Sequence, residues 1–489
     1  MKLKKNYLAI AILSASLVAC GGSDDDDDDV SVTPTPTPSE QSSFVTCSDD
    51  GCTLQGTVNE DFTLTADKTW FLKGQVKVGA GNVGVNAADV AALKGKGPVL
   101  TIEPGTNVKA LNDGVLIITR GSKIMAEGTK TAPITFSSLD DDFDGLGEWG
   151  GVIVQGFAPH YGAGNTGACY GDGTVCNVTG EGGPGIGYYG GNDPADNSGV
   201  IKYVRIAEGG KSVGQNNEIN GLTLMGVGHG TEIEYVQVHN NLDDAVEWFG
   251  GTVNAKYLVL TGNDDDDIDF DEGWKGNVQY AIIRKDPKKT SPSGSNDPRG
   301  IEANSSDADY VPQTEGALAN ILIVGSEVNK NYFDEKKGKI SGQPGMRLRG
   351  SVNVSLYNSA VINFTDCIRI DDSDTDGNGT IVESKVTLAN VIGQCDSEFY
   401  AERAAKTVQS GTITGAKAVT LDAAAALTDA HAKGVTTAMT AVDNGSAFAF
   451  DNTDYIGAVK PGTAAADAWW ADWIIPGTLD DIKDQGQDK

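Results

Sequence analysis

Asp372, Asp374 and Asp376 stand at alternate positions, run into Gly377 and Asn378, and are closed by Glu383 at the twelfth place of the stretch. This is the spacing D-x-D-x-D-G-x5-E of a calcium loop. Each aspartate offers one hard oxygen, the glycine turns the chain sharply, and the final glutamate offers two oxygens at once. The pattern predicts Ca2+ held by Asp372, Asp374, Asp376, Asn378 and Glu383, in a loop with no amphipathic helix on either side. A weaker copy, Asp140, Asp142, Asp144 and Gly145, has no glutamate at the twelfth position, although Glu148 is near. Calcium and a plain acidic turn both remain open there.

Paired aspartates form a second group. Tyr235 and Tyr257 are 22 residues apart, and Tyr257 and Tyr280 are 23 apart. If the chain coils with that period, Asn241 lies over Asn263, Asp243 and Asp244 lie over Asp265 and Asp266, and Glu247 lies over Asp269. Neighbouring coils are about 4.8 Å apart, so several carboxylates converge on one corner. Unpaired like charges at that distance need a cation or protons. An all-oxygen set favours calcium over softer metals; the rival is a solvated acidic turn. Further along, the same strand position carries Glu302, Arg347 and Arg369. Val246 and Trp248 alternate with Glu247, so this column should face outward. It predicts either a salt-bridge ladder, worth well under about 1 kcal/mol per exposed pair, or a groove where a metal and two arginines grip an acidic polysaccharide.

The elements that must position these groups are strands. Short β-rich runs at 202–206, 234–238, 256–260 and 279–283 carry tyrosine in the same place. A second series, 245–248, 267–270, 300–303, 345–348 and 366–370, falls between and after them. Strands at a period of twenty-odd residues, without helices between, imply a solenoid of stacked coils. A propeller would need about 40 residues per blade, and the leucine signature of a leucine-rich repeat is missing. The 63 glycines suit tight corners. The expected fold is all-β, a right-handed parallel β-helix, with residues 46–489 as one domain. Alanine-rich sequence at about 400–434 predicts a small α-helical insertion. Residues from about 450 to 476, with Trp469, Trp470 and Trp473, are expected to cap the open end of the stack; the rival is an exposed aromatic platform for sugars.

The N-terminus carries its own chemistry. Lys2, Lys4 and Lys5 precede an apolar run at 8–17, which is too short for a permanent span of about 20 residues. Residues 1–19 therefore read as a signal. Leu17, Val18, Ala19 and Cys20 resemble the bacterial lipobox, which implies lipid on the Cys20 sulfur and cleavage before it. Residues 20–45 hold six consecutive aspartates, Asp24 to Asp29, and a Thr-Pro repeat, an extended and solvated tether; a calcium-binding role for the aspartates is the rival. The other six cysteines predict the disulfides Cys47–Cys52, Cys169–Cys176 and Cys367–Cys395, and an oxidising compartment. A zinc site is opposed by the lack of any CxxC and by only 4 histidines. The net charge of −31, or −34 once the three signal lysines are removed, excludes nucleic acid as a partner and suits divalent cations. These features predict a chain anchored by lipid to the outer membrane, on its periplasmic or outer face, with a glycan or an outer-membrane protein as partner.

Several longer stretches carry a resemblance. They are 132–136, 148–154, 196–200, 218–224, 243–256 and 265–270, then 273–279, 454–458 and 470–473. They resemble a family of exported right-handed β-helix proteins of the pectate-lyase-like type, often lipoproteins, from Gram-negative bacteria. The resemblance spans most of 98–475 and implies fold and export, with no established activity to carry over. Polygalacturonase-type hydrolases of this fold show an Asn-Thr-Asp motif, an Asp pair, Gly-His-Gly and then Arg-x-Lys. Here Gly228-His229-Gly230 precedes the aspartate pairs and no Arg-x-Lys follows, so the match is broken. A β-helix lyase would set calcium against a substrate carboxylate and use a basic residue as base. Arg347 and Arg369 are the candidates for that base, and Asp244 and Asp266 are further catalytic candidates with no role assigned. Fold alone does not establish such chemistry.

Overall fold

The structure is a computed structural model. It describes residues 42–140, 142–161, 177–214, 217–287, 298–306, 310–326, 329, 333–334, 339–340, 342–370, 385–402, 409–414, 417–418 and 438–479. The signal, Cys20, the tether to residue 41, Cys169 and Cys176, and the loop from Asp372 to Glu383 lie outside them. Residues Ser42–Lys489 form one compact unit.

Alternation builds the fold. In Val246–Phe249 and Ile268–Asp271, Val246 pairs in parallel with Ile268 and Trp248 with Phe270, and all four are buried. The file continues inward through Ile301, Met346 and Ile368, and through Ala303, Leu348 and Ile370. Every second residue of these strands thus enters one continuous apolar core that runs from Phe44 to Val391. A 28-stranded sheet winds around that core, parallel except where Val45–Ser48 pairs antiparallel with Gly51–Val58. This is the right-handed parallel β-helix expected. Cys47–Cys52 ties the opening hairpin and Cys367–Cys395 ties two later coils, as predicted.

One corner of each coil is made by a single left-handed residue inside a strand: Tyr203 (φ 49°), Tyr235 (53°), Tyr257 (62°), Tyr280 (62°) and Asn320 (55°). Asparagine tolerates this conformation; tyrosine meets a steric cost there. The four tyrosine rings stack at 4.4, 4.3 and 4.9 Å between centroids. Offset stacking of that kind contributes about 0.5–1.5 kcal/mol per pair, which offsets the backbone cost.

Two expectations at the C-terminal end are corrected. Glu398–Glu402, Gln409–Thr414 and Lys417–Ala418 are strands that pair in parallel with the preceding coil. The expected helical insertion at about 400–434 therefore does not begin at 400; the alanine-rich stretch 421–432 lies outside the described residues. The segment 450–476 is not an end cap in its described contacts but a clasp along the flank. Trp473 packs edge-on against Tyr203 and Tyr235, Trp469 packs against Tyr257, and Gln237 accepts from the Ile475 amide. The cause is an apolar strip on the outer face, Val259, Ile282, Leu322 and Ala360, which Ile456, Ala458, Ala468 and Trp470 cover. With Trp473 fully buried and Trp470 7% exposed, these two rings form no open sugar platform.

Candidate functional site

The acidic corner lies where each coil turns into the strand series containing Val246–Phe249. The turn is built by Asn240, left-handed at φ 51°, and by a polar ladder: the Asn241 amide donates to Asn263 Oδ1 at 3.0 Å, 22 residues on. The Asp266 amide donates to Asp244 Oδ1 at 2.9 Å. The predicted stacking of Asp243 and Asp244 over Asp265 and Asp266 is therefore the observed one. In the adjoining strands Glu247 pairs with Asp269, Asp269 with Glu302, Glu302 with Arg347 and Arg347 with Arg369.

Three overlapping carboxylate triads result: Asp243, Asp244 and Asp265; Asp244, Glu247 and Asp269; Asp266, Asp269 and Glu302, each with ligand oxygens within 4.8 Å of one another. The column faces outward but is not a freely solvated ladder, since Asp243, Asp244, Glu247, Asp265 and Glu302 are each under 9% exposed. Asp269 is half-buried, and its Oδ1 is enclosed without a hydrogen-bond partner.

Compensating charge sits at one end. Arg299, 1% exposed in its side chain, reaches Asp266 at 2.9 Å and Glu302 at 2.7 Å. Arg349 and Arg347 approach Glu302 at 3.2 and 3.4 Å. Lys285 pairs with Asp267 at 2.8 Å, and Arg369 pairs with Asp366 at 2.6 Å. Burial alone would raise Glu302, but Arg299, Arg349 and Arg347 outweigh it and hold the carboxyl down to about 2. The other end behaves oppositely. Burial first, then Asp265, drives Asp243 well up; burial, then Asp269 and Glu247, does the same to Asp244. Glu247 and Asp269 rise for the same reasons, pressed by Glu181 and by Glu302 respectively. Asp266 also rises through burial, despite Arg299.

Carboxylates this close stay ionised only with a cation among them. The donor set fits a hard divalent ion: all oxygen, no histidine or thiolate, and a triad span that bonds of about 2.3–2.6 Å bridge. Asp243, Asp244, Glu247, Asp265 and Asp269 would hold it.

The second predicted acidic loop is rearranged. Asp140 and Asp142 converge not with Asp144 but with Glu208 from another coil. Glu208 is fully buried and accepts from the Ser138 and Gly145 amides, both at 3.2 Å. A third acid thus joins Asp140 and Asp142 from a stacked neighbour, because a β-helix corner assembles its groups across coils.

Sequence reading missed Glu208, Lys285, Arg299, Arg349, Asn220 and Glu181. Some had a signal. Arg349 shares its strand face with Arg347, and Glu208 and Lys285 follow the tyrosine runs by a fixed step. Glu181 comes from an excursion with no period, so nothing pointed to it. Arg347 and Arg369, expected as candidate bases, are each engaged by a carboxylate, an arrangement that suits a fixed positive clamp.

A family model described as a pectate-lyase like beta helix domain matches residues 56–474. Among solved structures, the catalytic unit of the thermostable GH87 alpha-1,3-glucanase from Streptomyces thermodiastaticus is 12% identical, with 70% of this chain and 69% of that one covered and a TM-score of 0.30. The mannuronan C-5 epimerase AlgE4 A-module of Azotobacter vinelandii is 10% identical, with 74% and 91% covered and a TM-score of 0.29. The Streptococcus pneumoniae surface protein and adhesin PfbA is 13% identical, with 72% and 90% covered and a TM-score of 0.26. No curated protein matches.

Proposed function

Because the chain belongs to the pectate-lyase-like β-helix family, we propose that it is a lipid-anchored envelope protein that binds acidic polysaccharide through calcium and a row of arginines. The observation that carries this reading is the in-register passage from Glu247 and Asp269 through Glu302 to Arg347 and Arg369 along one outward strand position. A cation at the acidic end gives that end positive coordination sites, so both ends of the row attract carboxylates. Calcium supplies Lewis acidity and oxygen coordination when bound. The chain's own part is to fix the carboxylates across three coils and to present Arg347 beside them. Attachment to the outer membrane through Cys20 is part of the proposal, supported by the lipobox resemblance; labelled fatty acid should enter the wild type and not Cys20→Ser.

Binding of polyuronate and neutral oligosaccharides, each with calcium and with chelator, tests the reading. Polyuronate should bind only with calcium, and Arg347→Ala should weaken it by about tenfold. Equal binding of neutral and acidic glycans, or indifference to chelator, would sink it. One observation favours a second reading, cleavage of the same polysaccharide: Asp269 is driven up while Glu302, one coil away, is held to about 2. Carboxylates pushed apart in this way are an acid and base pair in form. New reducing ends or unsaturated products, lost in Asp269→Asn, would turn the binder into an enzyme.

A further inference from the structure

We infer that Lys285 and Asn263 join through their side chains, in an amide bond that the protein makes on itself with the help of Asp267. All three residues are buried. Lys285 follows the strand Lys275–Arg284, whose register sets Arg284 beside Thr261 of the coil before, so it arrives next to Asn263. Asp267 turns its two oxygens to different partners. Asn263 Nδ2 donates to Oδ1 at 2.7 Å, and Lys285 Nζ lies 2.8 Å from Oδ2. Nζ also donates to the backbone carbonyls of Asn263, at 3.3 Å, and of Asp265. One carboxylate thus holds an amine and a carboxamide side by side.

A separate contact completes the set. Asn263 Oδ1 accepts the Asn241 amide at 3.0 Å, from the coil on the other side. The carboxamide is therefore gripped at both ends, its oxygen by a fixed N–H and its nitrogen by an acid. An ion pair between Lys285 and Asp267 needs neither grip. Acyl transfer needs both: a donor where negative charge develops on oxygen, and a group that moves protons between the entering and leaving nitrogens. The lysine amine is the nucleophile, with a base already beside it.

The atoms balance without any further reactant. Lys285 Nζ passes one proton to Asp267 Oδ2, while its other two stay directed at the Asn263 and Asp265 carbonyls. The freed electron pair attacks Asn263 Cγ, and the carbonyl electrons move onto Oδ1, against the Asn241 amide. Asp267 then gives its proton to Nδ2 and takes a second one from Nζ. The Cγ–Nδ2 bond breaks, ammonia leaves, and the Cγ–Nζ amide remains beside a protonated Asp267. Nothing is oxidised or reduced. Burial keeps water from competing for the same carbon. The bond ties residues 22 apart in successive coils, and like a disulfide it restrains the unfolded chain.

Tryptic mapping of the full chain, reduced and denatured, tests this by mass spectrometry. Peptide 257–275 should appear joined to the peptide that begins at Lys285, and the pair should be lighter by one ammonia. Fragmentation should place the link between Asn263 and Lys285. Lys285→Met and Asp267→Asn should each return 257–275 unjoined, at its own sequence mass. An unjoined wild-type peptide would reduce the trio to an ordinary ion pair and overturn the bond. A joined pair lighter by one water would overturn it too, because the amine would have taken Asp267 in place of Asn263. A link that survives Asp267→Asn would remove the acid from the reaction. The wild-type map decides the bond even where a variant fails to fold.

Discussion

Arg299 Nη1 bridges Asp266 and Glu302 with a side chain that is 1% exposed. Removing one member of a buried charge group leaves the others uncompensated, at a cost of about 3–5 kcal/mol. Arg299→Met should lower stability by that amount in denaturant titrations, and adding Asp266→Asn with Glu302→Gln should recover part of it. Wild-type stability for Arg299→Met would show that the charges are balanced in another way. The more exposed Arg347, 3.4 Å from Glu302 and 19% exposed, should change stability by under about 1 kcal/mol when replaced. Its loss should register in glycan binding instead. At this scale the sequence exposed the residue types and their column but not their burial. Nothing in the spacing of Glu247 or Glu302 said that loops would enclose an outward-facing acid.

Strands bend at left-handed tyrosines, and that conformation separates substitutions of similar size. Tyr257 sits at φ 62° between two stacked rings. Tyr257→Asn keeps a residue that accepts the backbone and loses only ring contacts; Tyr257→Val adds a β-branched strain of about 1–2 kcal/mol. The valine variant should melt below the asparagine variant, and the reverse order would show that the rings alone matter. The period of 22 and 23 residues made the register of these coils legible. Beyond Arg284 it was lost, because insertions stretch the step from Asp266 to Arg299 to 33 residues and from Glu302 to Arg347 to 45. Only the repeated strand chemistry, an acid or arginine between two apolar residues, carried the alignment across. The expected start of a helical insertion at about 400 misled for a different reason. Helix propensity is a weak prior, and Gln409–Thr414 follows the strand above it, Lys385–Ala389.

For the molecule as a whole, buried carboxylates couple stability to pH. Burial drives Glu272 up to about 8, Glu181 and Glu208 to about 7, and Asp196 and Asp267 to about 6. A carboxyl raised on folding adds stability below its unfolded value and loses it as pH climbs through its folded value. Glu302, held to about 2, is ionised throughout and does not reverse the trend. Chelated protein should therefore melt higher at about pH 5 than at about pH 8, and calcium should narrow the gap by raising the alkaline value. Equal midpoints in chelator at both pH values would mean that the corner is neutralised from within. Fold class was open to reading because a solenoid repeats its signature. The path of the closing segment was not, because it follows shape and has no period of its own. That path bears on the order of assembly. Ile475 is seated on Gln237, 238 residues earlier in the chain, so a section synthesised late is the keystone for coils made long before it. Until it arrives, Val259, Ile282 and Leu322 lie bare along one side. A nascent chain stalled or clipped ahead of residue 438 would present an adhesive stripe to its neighbours, and quality control would meet that stripe first.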